Sequence, residues 1–125
     1  MGATKSTFED LAVWKEARLL RTNISQLTKS FPGDEKYKLT DQMLRASRSV
    51  TANIAEGYGR FHYQENIQYC RQARGSLYEL VDHLTVAQDE KYITQERFSE
   101  LRTQTFMVVK ILNGYISYLQ KQKNG

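Results

Sequence analysis

Apolar residues recur along the chain at alternating three- and four-residue intervals, the spacing of a helix that buries one face, in four successive segments. The first spans about residues 9–30, with Val13, Ala17, Leu20, Ile24, Leu27 and Phe31 in line and Phe8, Leu11 and Trp14 on a neighbouring strip. Pro32-Gly33 ends it, since proline lacks the helical N–H and glycine tolerates the turn. The second spans about 34–56 through Leu39, Met43, Ala46, Val50 and Asn53. Asp34 and Glu35 suit the positive end of its dipole, and Gly57-Tyr58-Gly59 stops it. The third, about 62–90, runs through Cys70, Ala73, Leu77, Leu80, Leu84 and Ala87. The fourth, about 95–122, runs through Phe98, Leu101, Thr105, Val108, Leu112, Tyr115 and Leu119. Thr94 is placed to cap it, although Arg97 stands where a capping box needs an acid or amide.

This spacing fits helices crossing at shallow angles, and the short connections make neighbours antiparallel. The pattern therefore predicts an all-α, up-down-up-down antiparallel four-helix bundle, a single domain over residues 1–125. The fourth segment exceeds what one buried face requires. Phe106, Met107, Val109, Ile111, Ile116 and Tyr118 are apolar or aromatic and lie outside its main stripe. Two readings fit: a second apolar face that packs on another subunit, with Phe106, Val109, Ile116 and Tyr118 at the interface, or a helix sunk deep in its own bundle.

Composition changes the picture little. One proline and seven glycines leave room for few turns, and 40% hydrophobic with 26% charged residues is a globular balance. The lone cysteine, Cys70, excludes an internal disulfide and a multi-cysteine zinc site, and its place on the stripe marks it as a small core residue. The opening MGATKSTFEDLAVWKE has no apolar run fit for a leader peptide. No stretch approaches the roughly 20 apolar residues of a membrane span. A cytoplasmic protein is expected.

Catalytic chemistry finds little to work with. His62 and His83 are the only histidines, and bundle di-metal sites need paired Glu-x-x-His motifs that are absent. Gly57-Tyr58-Gly59 lacks the third glycine and the preceding strand of a phosphate loop. No enzyme, metal or cofactor is expected. Charge is more informative. Lys36, Lys38, Arg45, Arg48, Arg60, Arg71 and Arg74 face only Asp41, Glu56 and Glu65 across the middle third, which carries the whole net +4. Arg45 with Arg48, and Arg71 with Arg74, are three apart and share a helix face. Arg60-Phe61-His62-Tyr63 adds a basic-aromatic turn suited to phosphate and base. Lys38, Arg45, Arg48, Arg60, Arg71 and Arg74 are thus candidates for contact with RNA or DNA. The competing reading is solvated faces and intrahelical pairs such as Asp41 with Arg45.

Asn53 is the odd member of the second stripe. An inward amide needs partners or costs about 1–3 kcal/mol, and buried asparagines can fix helix register. Ala46, Ser49, Ala52 and Ala55 around it are small enough to admit a close neighbour.

The run Ser49-Val50-Thr51-Ala52-Asn53-Ile54-Ala55-Glu56-Gly57, followed by Arg60, resembles the signature of the bacterial four-helix bundle or 23S rRNA-intervening sequence protein family. The blocks Phe8-x-x-Leu-x-Val-Trp14 with Ala17, and Leu39-Thr-x-Gln-x-x-Arg45-Ala46, are similar too, so the resemblance reaches from Phe8 to about Leu119. Asn53, Glu56 and Gly57 are its signature positions. Val50 stands where isoleucine is common and Thr51 where proline is common. The resemblance implies a bundle assembled as a homo-oligomer, commonly a pentamer. Distant relatives implied by it are retroelement accessory proteins that bind nucleic acid and a reverse transcriptase. Two functions follow as expectations: an oligomer that binds RNA or DNA backbone through basic faces of the second and third helices, or a protein–protein adaptor without nucleic acid.

Overall fold

The computed structural model describes residues 6–125, so the first five residues, part of the stretch read for a leader, lie outside it. Four helices account for most of the described chain: α1 (Ala12–Thr28), α2 (Leu39–Tyr58), α3 (Tyr63–Asp89) and α4 (Gln95–Asn124). Each packs on its neighbours in sequence, and α1 also meets α4, which closes the four corners in the expected up-down-up-down order. The α2–α3 contact is the most extensive and the α1–α4 contact the thinnest. Most of the predicted stripe residues form the core, with Leu20, Ile24, Met43, Leu77, Leu80 and Leu112 all at most 1% exposed, whereas Phe98 and Tyr115 are only partly buried against it. The whole third stripe, Cys70 to Ala87, is buried without exception.

Helix ends differ from the reading of the sequence, for local reasons. The chain enters α1 through a separate 3-10 turn, Phe8–Asp10, closed by a reciprocal capping box between Thr7 and Asp10. Leu11 is extended between the two, so α1 begins at Ala12 rather than near Glu9. Likewise Asp34 and Glu35 form a 3-10 turn, and α2 starts at Leu39. Glu35 still serves that helix: its carboxylate accepts from the Leu39 N–H at 3.5 Å and from the Tyr92 hydroxyl at 2.8 Å. That second bond ties the α1–α2 connection to the α3–α4 connection. Thr94 caps α4 as expected, its hydroxyl accepting from the Arg97 N–H at 3.0 Å.

The α3–α4 turn is a Schellman closure in which Tyr92 N–H bonds Ala87 O and Lys91 N–H bonds Gln88 O, each at 2.9 Å. Lys91 holds the left-handed position, φ 61°, where glycine is the favoured residue.

Two expectations about inward positions are corrected. Asn53 is only half-buried; Ile54, fully buried, takes the core position, because the stripe continues from Val50 by four residues rather than three. The Asn53 amide donates to Ser49 on its own helix, at 2.9 Å to the carbonyl and 3.0 Å to Oγ. The buried asparagine is Asn66 on α3. On α4, Val109 and Ile116 are buried within the bundle, at 6% and 5% exposure, and cannot form an outer face. The helix lies against both α1 and α3, so its inward arc is wide enough to take them. Phe106 is half-buried against Tyr78, and of the four proposed interface residues only Tyr118 is largely exposed.

Gly57 lies inside α2, not beyond its end. A Cβ there would stand 2.7 Å from Asn66 Oδ1, 2.9 Å from Tyr69 Cβ and 3.1 Å from Asn66 O. Glycine therefore sets how closely α3 approaches α2.

Candidate nucleic-acid interface

The basic residues singled out in the sequence do not form one face. On a helix, residues three apart point about 60° from each other. On α2 that angle is enough to send Arg45 and Arg48 into different grooves. Arg45 borders a recess between α2 and α3 beside Glu79 and is paired with Asp41 at 3.4 Å. Arg48 borders the groove between α1 and α2. On α3, Arg71 is exposed, whereas Arg74 reaches α4 and donates to Asn113 Oδ1 at 2.7 Å. Lys38 is exposed in the turn before α2. A single basic surface over the second and third helices is therefore not what these residues build.

Arg60 is held in an intramolecular clamp. Its Nη2 donates to Glu56 Oε2 at 2.7 Å and to the Tyr69 hydroxyl at 2.6 Å, while Nη1 lies 3.6 Å from Glu65. Tyr69 in turn donates to Glu56 at 3.1 Å, and the guanidinium lies over the Tyr69 ring. Hydrogen bonds from Arg60 and then Tyr69 hold the Glu56 carboxyl below its ordinary pKa. With two carboxylates on one guanidinium, Arg60 offers little net charge to a phosphate.

The α1–α2 groove is different, and it contains residues the sequence reading passed over. Arg21 and Arg48 separate two adjoining recesses, which they both line. One, roughly 200 Å³, is completed by Thr22, Ser25 and Gln26. The other, roughly 280 Å³, has Phe8, Trp14, Ala52 and Ala55 in its walls. Arg21 is positioned by Thr51, whose hydroxyl accepts from Nη1 at 3.0 Å and donates to Arg48 O at 3.1 Å. Arg18 lies over the Trp14 ring, 5.6 Å from its centroid. Among the described residues, Arg18, Arg21 and Arg48 take part in no ion pair, and no carboxylate lines either recess. Arg18 and Arg21 are three apart, the same signal that drew attention to Arg45 and Arg48. They escaped notice because Glu16 and the surrounding acids kept the local net charge unremarkable.

Of the remaining candidates, His83 is hydrogen-bonded to Glu79 at 2.9 Å, and no group of three His, Cys, Asp or Glu side chains is placed to hold a metal among the described residues. The Cys70 thiol is buried in the core, and desolvation pushes its pKa up to about 12. No described helix is long and apolar enough to cross a membrane.

Fold and groove together define a small antiparallel four-helix bundle with an arginine-lined furrow between its first two helices. Residues 9–114 match the model of the 23S rRNA-intervening sequence protein family, and the chain belongs to that family. Among solved structures it is similar to a protein of unknown function from the S23 ribosomal protein family of Bacteroides thetaiotaomicron. The two share 23% identity over 84% of this chain and 95% of that one, with a TM-score of 0.78. No curated protein matches the chain.

Proposed function

We propose that this protein is a non-enzymatic binder of nucleic-acid backbone, RNA or DNA, and that the α1–α2 groove is where phosphates are held. The observation that carries this is the pair Arg21 and Arg48, two guanidiniums that line both recesses of one furrow with no carboxylate partner among the described residues, with Arg18 beside them over the Trp14 ring of the furrow wall. A surface arginine kept only for solubility or helix pairing is commonly matched by a nearby acid, as Arg45 and Arg97 are here. Thr51 fixes the direction of one guanidinium in advance, which reduces the ordering cost of binding. Ser25 and Gln26 add neutral side chains able to donate to phosphate oxygens without reading bases, whereas the Thr22 hydroxyl donates to Arg18 O. Assembly as a homo-oligomer, a pentamer by family resemblance, would repeat the furrow on each subunit and multiply its affinity for one strand.

Backbone contacts release counterions, so each one contributes about 0.7–0.9 to the slope of log affinity against log salt. Fluorescence anisotropy with a structured RNA and with duplex DNA, titrated from low to high salt, tests the reading. Arg21→Gln and Arg48→Gln are each expected to flatten the slope by about that amount. Arg45→Gln, already paired with Asp41, is expected to change it little. Absence of binding at low salt, or slopes that ignore Arg21 and Arg48, would refute it.

A second reading, the adaptor, draws on a different surface. Tyr78, 53% exposed, packs edge-on against the half-buried Phe106 to form an apolar seam between α3 and α4, and Met107 of α4 is 52% exposed. Light scattering addresses the oligomer on which both readings draw: a monomer at micromolar concentration removes it.

A further inference from the structure

At the end of the bundle where α4 finishes, aromatic side chains collect around an open recess of roughly 290 Å³. Tyr58, Tyr63, Tyr115 and Tyr118 line it, half of the chain's eight tyrosines, together with Phe61 and His62 from the α2–α3 turn. Rings recruited only for stability would be covered, yet Phe61 is 93% exposed, Tyr118 54% and Tyr63 46%. The Phe61 ring stands edge-on to His62 with centroids 5.1 Å apart, and Tyr115 and Tyr118 lie within 13° of parallel.

The recess also has a polar address. Asn66, 6% exposed, donates through Nδ2 to the Tyr115 hydroxyl at 3.2 Å, and its Oδ1 accepts from the Cys70 thiol. Both ends of the amide are thereby fixed, and the phenol oxygen is held as an acceptor. The Tyr115 proton itself has no acceptor among the described residues, and the hydroxyl borders the recess. Desolvation raises the Tyr115 pKa, which keeps that proton in place as a donor. Helical spacing sets Lys121 and Lys123 one turn beyond Tyr118 and Leu119, and the Lys123 ammonium reaches Gln64 in the first turn of α3. An apolar partner would leave the phenol proton unmatched and would gain nothing from the charge of either lysine. A planar anion with an acceptor on its edge uses all three.

We propose that this recess takes one unpaired nucleotide, its base stacked on Phe61 and Tyr118, an edge oxygen or nitrogen accepting from Tyr115, and its phosphate against Lys121 or Lys123. The nucleotide is either an unpaired position in a bound strand or a free monophosphate. For a strand, the proposal rests on the groove reading above; for a monophosphate it stands alone.

An RNA hairpin carrying 2-aminopurine in a bulge, and the same hairpin fully paired, provide the first arm. Stacking on protein rings is expected to quench the bulged base on binding and to leave the paired one unchanged. The double variant Phe61→Ala/Tyr118→Ala, both at exposed positions, is expected to abolish the quenching and to weaken the bulged hairpin about tenfold, with the paired hairpin bound as before. Circular dichroism confirms that the variant is folded. The second arm is saturation-transfer NMR with nucleoside monophosphates, which needs no strand binding and so survives failure of the groove reading. Transfer to base protons that the double variant loses supports the free nucleotide; quenching without such transfer supports the strand. Neither quenching nor transfer overturns the proposal. So does a change in assembly size of the double variant by light scattering, which would make these rings a subunit contact.

Discussion

Two substitutions with the same chemistry should have opposite effects. Gly57 and Gly75 both lie inside long helices, α2 and α3, and replacing glycine by alanine in a helix interior is worth about 1 kcal/mol of stability from backbone entropy alone. At Gly75 a Cβ meets nothing within 4 Å, so Gly75→Ala should show that gain undiminished. At Gly57 the same atom would stand 2.7 Å from Asn66 Oδ1, 2.9 Å from Tyr69 Cβ and 3.1 Å from Asn66 O. The Asn66 side chain can turn away, at the loss of its bond to Tyr115, about 1 kcal/mol. The Tyr69 Cβ and the Asn66 carbonyl cannot move unless α3 moves off α2, and overpacking of that kind costs about 1–3 kcal/mol. The sum is a net loss of about 1–3 kcal/mol for Gly57→Ala, the overpacking and hydrogen-bond terms outweighing the entropy gain. For a domain of this size each kcal/mol shifts Tm by about 3–5 °C. Thermal and urea unfolding followed at 222 nm should therefore place Gly57→Ala below the parent protein and Gly75→Ala above it. If Gly57→Ala is stabilised as much as Gly75→Ala, the close approach of α2 and α3 at this point is wrong.

Lys91 occupies a left-handed conformation at the end of α3, which costs a residue with a side chain about 1–2 kcal/mol relative to glycine. Lys91→Gly should raise stability by up to about 1 kcal/mol in the same unfolding assay, part of the gain being lost to the greater freedom of the unfolded chain. Thr51→Val keeps a branched side chain but removes the acceptor that orients Arg21. Anisotropy should show weaker nucleic-acid binding with an unchanged salt slope, because the charge remains and only its positioning is lost.

The fold was legible because burial in a bundle is periodic and the period survives without any knowledge of contacts. Every residue of the third stripe proved buried, and its helix ends came within a residue of those expected. The register failed once the stripe had to choose between three and four residues: from Val50 the next inward position is Asn53 or Ile54, and only the packing of the assembled bundle selects Ile54. Starts were harder than stops. Acids at Asp34-Glu35 and Glu9-Asp10 mark a helix N-terminus, but they do so equally well from a preceding 3-10 turn, as both pairs do here. The surplus of apolar residues on α4 misled for a related reason. Counting them assumes one narrow buried stripe, whereas contact with both α1 and α3 buries a broad arc that includes Val109 and Ile116.

The candidate site was less legible because grooves belong to pairs of helices, and sequence spacing describes one helix at a time. Charge counting found Arg48 but grouped it with Arg45, which the structure turns toward another neighbour. It missed Arg21, which matters only through Thr51 and Arg48 on the adjoining helix. The family signature does not repair this, because its residues are occupied with the fold. Ile54 fills the core, Glu56 closes the clamp with Arg60 and Tyr69, Gly57 admits α3, and Asn53 bonds back to Ser49. A segment so engaged accounts for the bundle and says little about what the protein binds. Binding must then reside where side chains are exposed and outside the core: Arg48 in the first groove, and Phe61 and Tyr118 at the open end. Thr51 serves the first of these from inside the bundle. Its buried hydroxyl gives Arg21 an acceptor, so the groove depends on a residue of α2 that solvent does not reach.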